Sequence, residues 1–260
     1  MTLLEKIVQT KKEEVARQKK ITPASHLERY PLFQRQCISL KAALLKEGAP
    51  GIIAEFKQKS PSKGEINFNV KVEEVTKMYV KAGASGLSVL TDFEYFGGTP
   101  AALTKARETN PGTPILRKDF IIDPYQVIEA KAFGADVILL IAACLEKSQA
   151  EKLAEKAKDL GMEVLMEIHE AEELEKINAF VDMTGINNRN LKTFETDVKT
   201  SEKLAPLIPG HMVKVSESGL SGVQTIHSLR SSGFKGFLIG ESFMKHKDPG
   251  AACRRLIAGL

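Results

Sequence analysis

From Gly51 onward the chain keeps one rhythm. Short runs rich in β-branched and apolar residues alternate with amphipathic helical runs, eight times over about 200 residues. The pattern predicts strands over Ile52–Phe56, Gly86–Thr91, Ile115–Lys118, Val137–Ile141, Glu163–Ile168, Met183–Asn187, Met212–Ser216 and Gly236–Ile239. Helices are expected between them, for example over Val72–Ala82, Ala101–Thr109, Tyr125–Phe133 and Ser148–Leu160. Strands that alternate with helices form a parallel sheet covered by those helices. Eight such units close into a (β/α)8 barrel more readily than they form an open sheet. No GxGxxG follows the first strand, as a dinucleotide-binding open sheet would require. The helices also share punctuation: Gly83, Gly134 and Gly233 each stand just before the next strand, where a left-handed C-cap makes a tight turn.

The first 45 residues lack a strand signal. Leu3, Leu4, Ile7, Val8 and Val15 put apolar groups on one helical face, and Lys41–Leu45 suggest another helix before the break Gly48-Ala49-Pro50-Gly51. The expected organisation is therefore a single domain over residues 1–260, with a helical extension (1–45) capping one end of a barrel (51–260). A length of 260 residues suits that fold, which typically takes about 250.

Several functions are excluded by what is missing. The net charge of +4 is spread among acidic residues, with no basic stripe carrying aromatics, so no nucleic-acid partner is expected. No apolar run approaches the ~20 residues that span a bilayer, and the N-terminus MTLLEKIVQTKKEEVARQKK has no apolar signal segment. No membrane association and a cytoplasmic location are expected. Cys37, Cys144 and Cys253 form no CxxC and no regular framework, which fits a reducing compartment. His169-Glu170 lacks the second histidine of a metalloprotease helix, and no metal site is expected. The sequence assigns no oligomeric state.

Barrel active sites form at the C-terminal ends of the strands. Those ends are unusually polar here: Glu55-Phe56-Lys57, Arg117-Lys118-Asp119, Glu167, Asn187-Asn188-Arg189 and Ser216-Glu217-Ser218-Gly219. Strand side chains alternate, so Glu55 and Lys57 share one direction, and so do Glu163, Leu165 and Glu167, of which Glu167 lies nearest the strand end. Each taken alone is as easily a solvated terminus or a salt bridge. If they converge, Lys57, Lys118, Glu55 and Glu167 share one low-dielectric mouth, where pKa values shift and acid–base partners arise.

A second constellation points to phosphate. Gly219 follows strand 7, and Gly240-Glu241-Ser242 follow strand 8, the two loops with which barrels often hold phosphate. The loop Lys57-Gln58-Lys59-Ser60-Pro61-Ser62-Lys63-Gly64 is an anion-binding lid or a mobile surface loop. The residues thus predict an enzyme acting on a small phosphorylated anion.

At these positions the sequence closely resembles the indole-3-glycerol-phosphate synthase family. The shared motifs are AEFKQKSPSKG (54–64), LSVLTDFEYFGG (87–98), ILRKDFIIDPYQ (115–126), GINNRNL (185–191), VSESGL (215–220) and FLIGESFM (237–244). They stand in family order across nearly the whole barrel, and the helical extension fits as well. The resemblance implies conversion of 1-(2-carboxyphenylamino)-1-deoxyribulose 5-phosphate to indole-3-glycerol phosphate, carbon dioxide and water in tryptophan biosynthesis. It implies Lys118 as general acid, Glu167 and Lys57 in the proton transfers of dehydration, and Glu55, Asn187, Glu217 and Ser218 in positioning. By the same resemblance, Lys57, Ser60 and the backbone at Gly219, Gly240 and Glu241 hold the phosphate, and Arg189 reaches the substrate. Phe96, Phe120, Leu139 and Phe194 line the apolar pocket for the aromatic ring. No metal or organic cofactor is implied. Gln58 stands where some members carry a basic residue, and Lys59 and Lys63 are expected to compensate. The competing expectations are another phosphate-binding barrel enzyme, such as phosphoribosylanthranilate isomerase, or a non-catalytic metabolite-binding barrel.

Overall fold

The computed structural model describes residues 1–191 and 193–260. Eight strands form a closed parallel barrel: β1 (Ile52–Phe56), β2 (Gly86–Leu90), β3 (Ile115–Lys118), β4 (Val137–Ile141), β5 (Glu163–Ile168), β6 (Met183–Asn187), β7 (Val213–Glu217) and β8 (Phe234–Ile239). Each strand pairs with its sequence neighbour and β8 returns to β1, with Ala54 opposite Ile239. The alternation expected of strands decides the two sides. Ile53, Leu116, Leu139, Leu165, Val213 and Val215 fill the barrel interior, while Ile52, Ala54, Phe56, Ile138 and Val164 pack outward against the helices. The register then sets Leu90 beside Lys118, Ile141 beside Glu167, and Asn187 beside Glu217. Inward-facing parity and this register carry the polar strand ends into one ring.

Three strands differ in their bounds from expectation, and β2 ends at Leu90, one residue before the expected Thr91. β7 runs Val213–Glu217 instead of Met212–Ser216, because Glu217 belongs to the ladder opposite Asn187. β8 starts at Phe234, two residues earlier than expected, and is irregular between Phe234 and Gly236, where Lys235 is exposed. The apolar pattern missed this start because the bulge breaks the alternation. The glycines expected to close helices do so: Gly83, Gly134 and Gly233 have φ of 97°, 93° and 89°.

The extension does more than cap one end. Its first helix (Leu3–Ile21) opens with a capping box between Thr2 and Glu5. A later helix (Leu40–Leu45) plugs the N-terminal end of the barrel, burying Leu40 and Leu44 in the interior cluster. Glu163, at the start of β5, serves this plug: its carboxylate accepts from Ser39 Oγ, from Leu40 N at 2.8 Å and from Lys41 N at 3.0 Å. Asp136 makes a parallel attachment, accepting from Ile38 N and Ile115 N at 2.8 Å each and pairing with Arg35 and Arg107. At the opposite end Lys11, almost fully buried, lies 3.0 Å from both Asp92 and Asp119 and 2.8 Å from Glu14. The first helix is thereby pinned beside the C-terminal mouth.

Candidate active site

A cavity of about 600 Å³ opens at the C-terminal ends of the strands. The strand-end residues expected to act in the reaction line it, namely Glu55, Lys57, Lys118, Glu167, Asn187, Glu217 and Ser218, whereas Arg117, Asn188 and Ser216 from the same strand ends do not. At its centre the Lys118 ammonium stands 2.7 Å from a carboxylate oxygen of Glu167 and 2.7 Å from one of Glu217. Burial works against charge on Lys118, but Glu167, Glu217 and the more distant Glu55 outweigh it and hold the ammonium well above the ordinary lysine range.

The two carboxylates share a lysine yet titrate in opposite directions. Burial raises both. For Glu167 the attraction of Lys118 and then of His169, with a bond from Asn187 Nδ2 at 3.1 Å, brings the value down to about 2. For Glu217 burial prevails over Lys118, the charge of Glu167 adds to it, and the carboxyl is pushed up to about 7. Geometry agrees with this split, because Glu217 Oε1 is buried without a hydrogen-bond partner. That oxygen fits only because residue 185 is glycine: a Cβ there would lie 2.2 Å from it. Strand β6 thus lends Asn187 to one carboxylate and the missing side chain of Gly185 to the other.

Lys57 and Glu55 form the second pair, 3.0 Å apart, with Ser88 Oγ donating to Glu55 at 3.3 Å. Gly240 makes room for it, since a Cβ there would sit 2.5 Å from Glu55 Oε1. The turn after β7 is the other built feature. Ser218 and Gly219 both take left-handed backbone, with φ of 68° and 74°, a conformation that costs a non-glycine residue energy. Asn188, noted at its strand end in the sequence but given no role there, holds this turn. Its Nδ2 donates to Ser216 Oγ and the Ser218 carbonyl, and its Oδ1 accepts from Ser201. The backbone at Gly219, Gly240 and Glu241 faces the cavity beside Ser60, whose buried hydroxyl has no protein partner.

The first loop contains a short hairpin, in which two strands (Lys59–Ser60 and Gly64–Glu65) pair antiparallel. It brings Ser62 to Arg189, whose Nη1 donates at 2.5 Å and whose Nη2 lies 3.5 Å from Glu241. Gln58 points elsewhere, donating to the Val70 carbonyl at 3.2 Å, and does not line the cavity. Lys59 is likewise turned away, donating to the Glu94 carbonyl at 2.9 Å. The expected compensation by Lys59 is therefore corrected: alternation in the hairpin sends it outward, while Lys63 does line the cavity. The apolar side of the cavity comprises Phe96 and Phe120, with ring centroids 6.0 Å apart, Leu139 and Phe194. Sequence reasoning missed Leu3, Leu4 and Ile7 of the first helix as part of this wall. Their amphipathic stripe was visible, but not where it docks.

A cationic acid between two unlike carboxylates, an aromatic-walled slot and a backbone-lined anion turn can bind a phosphorylated aromatic anion and move protons on it. Among the described residues no helix is long and apolar enough to cross a membrane. Comparison with known proteins agrees with the geometry. The sequence profile named "Indole-3-glycerol phosphate synthase" matches residues 4–256. A protein of that name from Bacteroides thetaiotaomicron is 47% identical over 258 residues, covering 99% of this chain and 98% of its own. Another of that name, from Carboxydothermus hydrogenoformans, is 44% identical over 98% of this chain and 99% of its own. The 3-hexulose-6-phosphate synthase of Salmonella typhimurium has the same fold, with a TM-score of 0.66 at 13% identity over 81% of this chain and 98% of its own. With the profile match and the full-length relatives in hand, the chain belongs to the indole-3-glycerol phosphate synthase family.

Proposed function

We propose that Lys118, Glu167 and Glu217 form the acid–base centre for closing the indole ring of 1-(2-carboxyphenylamino)-1-deoxyribulose 5-phosphate. Membership of the family makes the chain a decarboxylating lyase of tryptophan biosynthesis that acts on a phosphorylated small molecule. The observation that carries the residue assignment is the ammonium of Lys118 at 2.7 Å from each of two buried carboxylates. In this reading the phosphate lies against Lys57, Ser60 and the backbone of Gly219, Gly240 and Glu241. Arg189, after β6 and bonded to Ser62 of the hairpin, closes over it, and the carboxyphenyl ring occupies the Phe96–Phe120–Leu139 slot.

Lys118 then protonates the ketone oxygen as the ring carbon bearing the carboxylate attacks the carbonyl carbon. Loss of carbon dioxide leaves its bonding electrons in the ring and restores aromaticity. In dehydration the new hydroxyl leaves as water, taking a second proton from Lys57, while Glu167 removes one proton from the five-membered ring. Two protons enter and one leaves, so each turnover takes up one proton net. Glu217, with its carboxyl held near 7, is suited to return a proton to Lys118. Glu55 holds Lys57, while Asn187 and Ser218 orient the reacting groups.

The test is indole formation and carbon dioxide release by the pure protein, with Lys118→Met beside it. Turnover of Lys118→Met should fall about 100- to 10,000-fold while substrate binding changes much less. Near-normal turnover would remove Lys118 from the general-acid role.

A further inference from the structure

Behind the cavity, outside the residues assigned to the reaction, lies a buried histidine between two carboxylates. Its Nε2 is 3.4 Å from Glu167 Oε1, and its Nδ1 is 3.5 Å from Glu173 Oε2. The His169 side chain is 8% exposed, and neither ring nitrogen makes an aligned hydrogen bond, so both carboxylates meet the ring as close charges. Glu173 is itself fixed, because the His169 backbone N–H donates to the same Oε2 at 2.6 Å. We infer that His169 is a doubly protonated imidazolium and a positioning residue, whose charge keeps Glu167 ionised and aimed at the reacting atoms.

The argument is one of donors and acceptors. An ionised carboxylate only accepts, and a neutral imidazole has one N–H and one lone pair. With a carboxylate oxygen at each ring nitrogen, the neutral form must set a lone pair against a negative oxygen in a buried place. The imidazolium sets positive charge beside both carboxylates. Burial disfavours that charge, but the adjoining Glu173 carboxylate and the charges of Glu167 and Glu217 overcome it and raise the imidazole above its ordinary value. The other groups nearby do not reverse the balance. Lys118 is on the far side of Glu167, and the Cys144 thiol is pushed up to about 12, so it stays neutral. Lys176, whose ammonium donates to the Ala142 carbonyl at 2.9 Å, faces that thiol.

His169 also resolves a question that Lys118 leaves open. Lys118 sits at the same distance from Glu167 and Glu217 and cannot by itself choose which is ionised. Asn187 and His169 both side with Glu167, and of the two only His169 carries charge. The result is an alternating row from the surface to the reacting atoms: Glu173, His169, Glu167, Lys118, Glu217. The inference rests on the proposed role of Glu167 as base, and the test separates the two.

Full-length protein with 15N-labelled histidine, assigned by its difference from His169→Gln, should show both His169 ring nitrogens protonated at pH 7.5. In the pH profile of kcat/KM, the limb set by the Glu167–Glu217 pair should move up by about one pH unit in His169→Gln, the effect of losing a nearby opposite charge. KM should stay within about twofold. Glu173→Gln should move the same limb the same way and less far. An unprotonated ring nitrogen at pH 7.5 overturns the inference, and so does a uniform loss of kcat with both limbs unmoved. If His169→Gln folds poorly, through-bond correlations in the labelled wild-type protein assign the His169 ring nitrogens and decide the charge state. Glu167→Gln tests the base separately: normal turnover there, with His169 doubly protonated, defeats the base assignment and leaves the imidazolium standing.

Discussion

Glu217→Gln replaces a carboxyl that the fold holds near 7 with a neutral group of the same shape. In an unfolded chain the carboxyl titrates near 4.5, so the folded state prefers its protonated form. A shift from 4.5 to about 7 is equivalent to about 3 kcal/mol. The sign follows from linkage: a carboxyl raised on folding costs nothing below pH 4.5, and the cost grows as pH climbs through 7. Glutamine removes that cost while its carbonyl still accepts from Lys118. The variant should therefore match the wild type near pH 4.5 and exceed it by about 3 kcal/mol at pH 8.5. For a domain of this size that corresponds to a Tm gain of roughly 6–12 °C. Reversible urea unfolding at both pH values, with thermal scans beside it, measures the difference. Turnover should meanwhile fall, because the proposed proton reservoir is gone. A stability difference that does not change between pH 4.5 and pH 8.5 would refute the reasoning.

Lys11→Met leaves Asp92 and Asp119 buried near an apolar side chain and frees the first helix from the mouth. KM should rise about fivefold, equivalent to about 1 kcal/mol of lost apolar contact, with a smaller effect on kcat in steady-state assays. The same ion pairs give a pH dependence, because Lys11 and Arg117 hold the Asp119 carboxyl well below its ordinary value against the effect of burial. Their contribution is present above the ordinary aspartate range and lost as pH falls below it, so the acid unfolding midpoint should move to higher pH in Lys11→Met. Asp136→Asn breaks the buried pairs with Arg107 and Arg35 at the other end and should cost about 3–5 kcal/mol in urea unfolding, with kcat close to wild type at temperatures where the variant is folded.

The barrel was legible because its evidence is periodic. Parity within strands grouped Glu55 with Lys57 and set Glu167 at the inner end of its strand, and the structure has all three at the mouth. Where parity is disturbed the reading slipped, as at the bulge between Phe234 and Gly236. Partnerships across the chain were invisible for a different reason. Nothing local to Gly185 announces that Glu217, on the next strand, needs its missing Cβ. His169 was weighed only as half of a metal motif, because its partners Glu167 and Glu173 become neighbours only after β5 ends and the chain turns back. The loop at Gln58 and Lys59 carried three lysines by composition, but the hairpin's alternation decides which of them face substrate.

The two-ended anchoring of the extension also bears on how the chain is made. Its residues leave the ribosome well before their partners: Asp136 lies 98 residues after Ile38, and Glu163 lies 124 after Ser39. The first helix therefore waits for Asp92 and Asp119 after β2 and β3, and the plug helix waits for Glu163 at the start of β5; contacts of such long range slow assembly. Because Leu3, Leu4 and Ile7 complete the apolar wall of the cavity, residues made before the barrel take their working place only after its strands are there to receive them. Onset of turnover during refolding should then report arrival of the N-terminus, later than closure of the barrel itself.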